Sequence, residues 1–235
     1  MLDQALIEHW HTIIQNRLTD ATVGLCYPQD AKWLGVTLVA VTKYATAEQM
    51  VGAFNAGLTH FGESRPVEAL QKRATLPTTV EQSVTWHFIG HLQKNKINKV
   101  VGYYQLIHSV DSFELLTAIN QRASTLTIIQ DVLIQVNISG EHSKQGIALN
   151  AVEDLIKKAE NLSSIRVLGL MTMAPKEASP TEQAHIFGTL QTRLQRWQQN
   201  IKKELTISSM GMTQDYSQAL LKGATIVRIG NKLFT

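Results

Sequence analysis

A lysine set in a strand-like run is the first candidate for chemistry. Lys43 stands near the end of Val36 to Thr46, VTLVAVTKYAT, where Val, Leu and Thr in close succession suit a buried strand. Period-2 alternation places it on the face of Thr37, Val39 and Val41. An ammonium group there is expected to be poorly solvated. Burial disfavours the charged form and favours a neutral, nucleophilic amine, the state that forms a Schiff base with a carbonyl. The competing reading is a strand-end lysine that reaches water along its aliphatic stem. Two further stretches suit an anion: Ser208, Ser209, Met210 and Gly211, and Arg228, Ile229, Gly230 and Asn231. Serine hydroxyls and the N–H groups of glycine-containing turns can coordinate a phosphate oxygen with no Cβ in the way. A lysine, a phosphate cradle and an arginine predict a phosphorylated carbonyl ligand, and pyridoxal phosphate and a sugar phosphate both fit.

These residues meet only if strands alternate with helices, and the chain has that pattern. Strands are expected from Val36 to an end at Lys43 and over Thr59–Glu63, Val84–Ile89, Leu106–Val110, Val132–Asn137, Ile165–Met171, Thr206–Ser209 and Thr225–Ile229. Helical segments separate them. One starts at Thr46 with Gln49 completing a capping box and stops near Gly57; another spans Pro66–Ala74. A Pro- and Thr-containing loop follows, and a helix is expected over Leu92–Val101. Asp111 with Glu114, and Asn150 with Glu153, mark two further starts. The clearest start is Ser179, Pro180 and Glu182, ahead of Phe187, Leu190, Leu194, Trp197 and Ile201. Asp215–Lys222 is the last helix, ended by Gly223.

Eight strands joined by helices imply a parallel sheet with right-handed crossovers, and its closure gives a TIM-type (β/α)8 barrel. Leu2, Leu6, Trp10, Ile13 and Arg17 make the first eighteen residues an additional amphipathic N-terminal helix, expected to cover the gap left by a missing eighth helix. Residues 1–235 then form a single barrel domain. An open doubly wound sheet is the alternative, but no G-x-G-x-x-G follows the first strand. In a barrel the strand C-termini carry the site, which is where Lys43, Ser209 and Arg228 fall.

Composition narrows the class. Of 235 residues, 44% are apolar and 17% charged, which builds a core and excludes a disordered chain. The single cysteine, Cys26, cannot form an internal disulfide, and no apolar run reaches membrane-spanning length, so a cytoplasmic protein is expected. A net charge of +3 is scattered, with KNKINK at 94–99 as its densest patch, read as a solvated helix face and not a nucleic-acid footprint. His87 and His91 are four apart, but Gly90 ends a strand between them, so no metal site is expected. His87 is instead expected at the pocket mouth. Met171 and Met173 read as core or pocket wall, and Lys144 as a solvated loop residue within reach of an anionic ligand.

The blocks VTLVAVTKYAT, HFGESRPVEAL, WHFIGHLQKNKINKV, IHSVDS, VLIQVNISGEHSKQGI, GLMTMAP and SSMGMTQDYSQALLKGATIVRIGNKLF, in that order, resemble the pyridoxal phosphate homeostasis protein family, itself similar to the N-terminal barrel of alanine racemase. They cover about five-sixths of the chain. The resemblance implies that Lys43 holds pyridoxal 5'-phosphate as a Schiff base, that Ser209, Met210, Gly211, Gly230 and Asn231 surround its phosphate, and that Arg228 faces the pyridine nitrogen. Two positions depart from the family pattern. The usual Gly-Glu-Asn-Tyr reads Gly62, Glu63, Ser64, Arg65, so Ser64 replaces an asparagine that would contact the cofactor. Asn231 replaces the usual threonine or serine after Arg-Ile-Gly and retains an amide able to reach phosphate.

The function this implies is a carrier that buffers pyridoxal phosphate in vitamin B6 and amino-acid homeostasis, with little or no turnover. Amino acids are expected as secondary ligands and a monomer is expected, since no partner domain is needed to complete the site. Racemisation needs a second acid/base on the face opposite the lysine, and this chain ends at Thr235 without the β-domain that supplies a tyrosine in alanine racemase. An amino-acid racemase borrowing His87 or Tyr44 is the alternative. A cofactor-free aldolase acting on a sugar phosphate is the third reading, and it predicts a colourless protein.

Overall fold

A computed structural model of the chain describes residues 36–141 and 145–234. The expected N-terminal helix and Lys144 lie outside the described residues.

Period-2 apolar segments become strands β1 (Thr37–Val41), β2 (His60–Glu63), β3 (Thr85–Phe88), β4 (Leu106–Val110), β5 (Gln130–Asn137), β6 (Ile147–Ala148), β7 (Ile165–Met171), β8 (Ile207–Met212) and β9 (Ile226–Ile229). All the pairings between these strands are parallel, in the order β4-β3-β2-β1-β9-β8-β7-β5, and β4 also pairs with β5. That last pairing closes an eight-stranded parallel barrel with helices between strands, the TIM-type architecture read from the sequence. The two-residue β6 adds to the end of β5 beyond its pairing with β7.

The side-chain alternation of each strand divides the interior in two. One set of residues, including Phe61, Trp86, Phe88, Ile107 and Ile134, faces the helices and forms the larger apolar core with Met50, Leu116, Ile119 and Phe187. The other set points into the barrel. Val39, Leu106, Leu133, Met171 and Ile226 form a compact apolar layer there.

Helix ends follow local chemistry. Thr46 and Gln49 form a complete capping box on Ala47–Asn55, and Ser179 and Glu182 form another on the 21-residue helix Pro180–Asn200. Four expectations are corrected. The helix Phe113–Thr125 is capped by Ser112, whose side chain accepts from Leu115 N–H, and not by Asp111. A 3-10 turn over Leu149–Ala151 precedes the helix Val152–Ala159, which has no side-chain cap. Leu92–Val101 contains a 3-10 helix, Lys94–Lys99, in place of an α-helix; Ile97 is its sole buried residue, too little apolar surface to form a helical stripe. The Pro- and Thr-containing loop holds a six-residue helix, Thr78–Ser83, anchored by Val80 alone.

The most consequential difference is at β8, which runs to Met212 and not to Ser209. Ser209, Met210 and Gly211 are therefore strand residues, and the turn beyond the strand starts at Thr213.

Candidate functional site

A cleft of about 370 Å3 opens at the C-terminal ends of the strands. Lys43 and Val41 line it from the end of β1, Ser64 from beyond β2, Ile89 from beyond β3, and Arg228 and Gly230 from the end of β9. The loop after β7 contributes Met173 and Lys176, and the turn after β8 contributes Thr213, Gln214 and Asp215. A groove of similar size lies on the outer helix layer beside Gly188, Arg193 and Lys222, away from the strand ends. Barrel chemistry sits at the strand C-termini, so the first cleft is the candidate site.

Lys43 is two residues past the end of β1, in the turn Thr42–Ala45 closed by Ala45 N–H donating to the Thr42 carbonyl. It is exposed, with its Nζ 5.0 Å from the centroid of the Tyr44 ring. The expectation of a lysine desolvated by the strand is thus corrected: the strand stops short of it. What the fold supplies is a rigid mount. Glu63, 2% exposed, accepts hydrogen bonds from Thr42 Oγ1 and Lys72 Nζ, both at 2.8 Å. Lys72 Nζ also donates to the carbonyls of Thr42 at 2.6 Å and Ala45 at 3.3 Å. Both ends of the lysine-bearing turn are therefore tied to one ion pair whose carboxylate is buried. Sequence reasoning missed Lys72 because it comes from the helix Pro66–Arg73, where a lysine in the last turn reads as a solvated residue complementing the helix dipole.

Arg228 is 4% exposed. Its Nη1 donates to Ser209 Oγ at 2.6 Å and its Nη2 to the Thr172 carbonyl at 3.2 Å. It forms no salt bridge among the described residues. Burial lowers its pKa to about 10, with Asp215 opposing that shift from a distance, so the guanidinium stays charged at neutral pH. Asp215 is itself buried; burial pushes its carboxyl pKa up, partly countered by the Met212 N–H that it accepts. That bond closes the turn after β8, and Thr213 Oγ1 accepts from Gly230 N–H at 3.3 Å, joining this turn to the end of β9.

The expected cradle residues separate into two groups. Gly230 and Ser64 line the cleft, and Asn231 opens the short helix Asn231–Phe234 beside it. Ser209, Met210 and Gly211 do not line it. Ser209 points into the barrel beneath Arg228, Met210 belongs to the outer apolar core, and Gly211 has φ +89° where a Cβ would sit 2.5 Å from Ala219 Cβ. Gly211 thus serves helix packing and the register shift between β8 and β9. The hydroxyl and backbone groups facing the cleft come instead from residues 212–215. Their signal was available in Met212-Thr213-Gln214-Asp215, a polar run before a helix, once the strand is allowed to run to Met212.

His87 is also displaced from expectation. It is 3% exposed and lies within the barrel, not at the cleft mouth; its Nε2 pairs with His60 Nδ1 and its Nδ1 with His108 Nε2, both at 2.9 Å. Burial, with His60 as a second cause, lowers its pKa to about 3, and burial drives His108 well below the ordinary histidine value. Tyr44 is 69% exposed and outside the cleft. Neither second-base candidate therefore faces the site. Met171 is in the barrel layer and Met173 on the cleft wall.

A donor set of one exposed amine, one buried guanidinium with no ion-pair partner among the described residues, and two neighbouring strand ends carrying Thr213 and Gly230 fits an aldehyde carrying both a hydrogen-bond acceptor and a phosphate.

Comparison with known proteins bears on this. Residues 30–235 match the family described as alanine racemase, N-terminal domain. The pyridoxal phosphate homeostasis protein of Aquifex aeolicus is 38% identical over 84% of this chain and 85% of its own length; that of Synechocystis is 36% identical over 85% and 90%. The structure of PipY from Synechococcus elongatus with PLP bound aligns with a TM-score of 0.79 and 32% identity, over 94% of this chain and 100% of PipY. With the barrel, the cleft and these likenesses together, the chain belongs to the pyridoxal phosphate homeostasis protein family.

Proposed function

We propose that this chain binds pyridoxal 5'-phosphate in the strand-end cleft, with Lys43 as the attaching amine, and acts as a carrier that buffers the cofactor in vitamin B6 and amino-acid homeostasis. The observation that carries this is the sharing of one cleft by Lys43 and Arg228. When bound, the cofactor supplies an aldehyde that condenses with primary amines and a ring that withdraws electrons from them.

The chain's own groups define how it would be held. The Glu63–Lys72 pair fixes the turn that presents Lys43. Arg228 only donates, so it calls for an acceptor such as an unprotonated ring nitrogen and cannot take a proton from it, which keeps the ring a weak electron sink. The turn 212–215 with Gly230 is the place for the phosphate, as the loops after the last two strands commonly are in barrels. Neither His87 nor Tyr44 stands in the cleft to act as a second acid/base, which favours a carrier over a racemase. In this reading the chain works as a monomer in the cytoplasm, with amino acids as secondary ligands that compete with Lys43 for the aldehyde.

The test is the visible absorption spectrum of the purified protein before and after borohydride, with peptide mapping of the reduced adduct. A yellow protein with its adduct on Lys43, and a Lys43→Ala variant that stays colourless, is the expected result. A protein that stays colourless with added pyridoxal phosphate refutes the reading. An adduct at Lys176, the second amine on the cleft wall, refutes the assignment of Lys43.

A further inference from the structure

A chain of polar side chains crosses the barrel beneath the cleft. It starts at His60 on the first residue of β2, continues through His87 on β3 and His108 on β4, crosses to Ser209 on β8, and ends at Arg228 on β9, each link a hydrogen bond of 2.6 to 2.9 Å. His87, His108, Ser209 and Arg228 are all buried, so each polar group needs its partner.

The direction of the chain follows from what each group is able to do. Arg228 only donates, so Ser209 Oγ accepts from it. The Ser209 hydroxyl hydrogen then has one acceptor among the described contacts, His108 Nδ1 at 2.9 Å. With Nδ1 accepting, neutral His108 carries its proton on Nε2 and donates it to His87 Nδ1. His87 in turn carries its proton on Nε2 and donates it to His60 Nδ1, and the half-buried His60 is left as the Nε2–H form. One fixed cation thereby orders four successive hydrogen bonds.

We propose that Ser209 and His108 are positioning residues for Arg228, and that the His60–His87–His108 relay, held in a single all-Nε2–H arrangement, locks the guanidinium at the cleft wall. The reverse arrangement, with every histidine protonated on Nδ1, makes Ser209 accept from both Arg228 and His108 and leaves its own hydrogen unpaired in the barrel. The relay is therefore one-way for as long as Arg228 is present. Its link to the cofactor rests on the reading of Arg228 as the group facing the ring.

Two measurements test this. Long-range proton–nitrogen spectra of the ligand-free, nitrogen-15-labelled wild-type protein at neutral pH report each histidine tautomer, and all three should be Nε2–H. In Arg228→Met, Ser209 is released to accept from His108, and the tautomers should become mixed as far as His60, four links away. An Nδ1–H form of His108 in the wild type, or tautomers indifferent to Arg228→Met, overturns the proposal. The second measurement is titration with pyridoxal phosphate. Ser209→Ala should weaken binding on the order of tenfold or more, with a shifted absorption maximum and the adduct still on Lys43, while Ser209→Thr, which keeps the hydroxyl, should restore both. Unchanged affinity and spectrum in Ser209→Ala overturn the positioning role. The spectra of the ligand-free protein need no cofactor, so failure of the tautomer assignment and failure of cofactor binding are separable.

Discussion

Acid should unfold this protein from the inside of the barrel. His87 has an ordinary pKa of 6.5 and is lowered to about 3 in the fold, first by burial and then by His60. Between those values the unfolded chain binds a proton that the native state refuses, so stability is fully present above 6.5 and falls as pH drops toward 3. For this one residue the linkage relation gives a loss of about 2 kcal/mol by pH 5 and about 3 kcal/mol by pH 4. His108 and His60 are shifted in the same direction, chiefly by burial, and add to it. Asp215 works the other way: its raised pKa makes the native state the better proton binder above the ordinary 3.8, which offsets part of the loss. The exposed Glu153 and Glu182 are held low by surface hydrogen bonds, and solvent screens their contribution. The assay is urea unfolding followed by tryptophan fluorescence at a series of pH values from 7 to 4. Each buried neutral histidine steepens the decline by up to about 1.4 kcal/mol per pH unit, so a His87→Leu variant should show a shallower slope than the wild type. A flat wild-type profile between pH 7 and 5, or identical slopes in both proteins, refutes the picture of a neutral relay held against protonation.

Other outcomes follow from single contacts. Lys72→Met takes the cation away from the 2%-exposed Glu63 carboxylate and leaves it the Thr42 hydroxyl as its hydrogen-bond donor among the described residues, and should lower stability by about 3 kcal/mol in chemical denaturation, with slower borohydride trapping at Lys43 as its turn loosens. Thr46→Ala and Ser179→Ala each remove a capping-box side chain and should cost about 1 kcal/mol by the same assay. Gly169→Ala would place a Cβ 1.9 Å from the Ile207 carbonyl oxygen, inside the pairing of β7 with β8, and should yield insoluble or unfolded protein by far-ultraviolet circular dichroism.

The barrel was legible because its eight strands alternate with helices and the strongest caps are local: Thr46 with Gln49, and Ser179 with Glu182, lie three residues apart and need no tertiary information. The helix Thr78–Ser83 and the 3-10 turn Lys94–Lys99 were not, since each buries one apolar side chain and so carries no period to read. Strand length was the costly error. Ser-Ser-Met-Gly looks like a turn because serine and glycine favour turns, yet parallel pairing carries β8 on to Met212 and the bulge at Gly211 absorbs the register shift. That change of three residues moves the cleft-facing groups from Ser209 and Gly211 to Thr213 and its neighbours.

The alternation rule that fails at Lys43 holds for the histidines of the relay. Lys43 shares the face of Thr37, Val39 and Val41 only if β1 continues past Val41, but Thr42 already bonds away to Glu63, and the chain turns before the lysine could enter the barrel. His60, His87 and His108, by contrast, lie on three consecutive strands, each at an inward position, with Gly62 and Leu106 two residues from the first and last of them also on that face. A histidine on one apolar strand is commonplace. Three on adjacent strands of a closed barrel become diagonal neighbours here, since His87 pairs with Gly62 and with Leu106, and the tilt of the strands brings the long imidazole side chains level. An interior that holds three neutral imidazoles and one guanidinium spends stability that an apolar layer would not, and the residue at the end of that row is the one that meets the cleft.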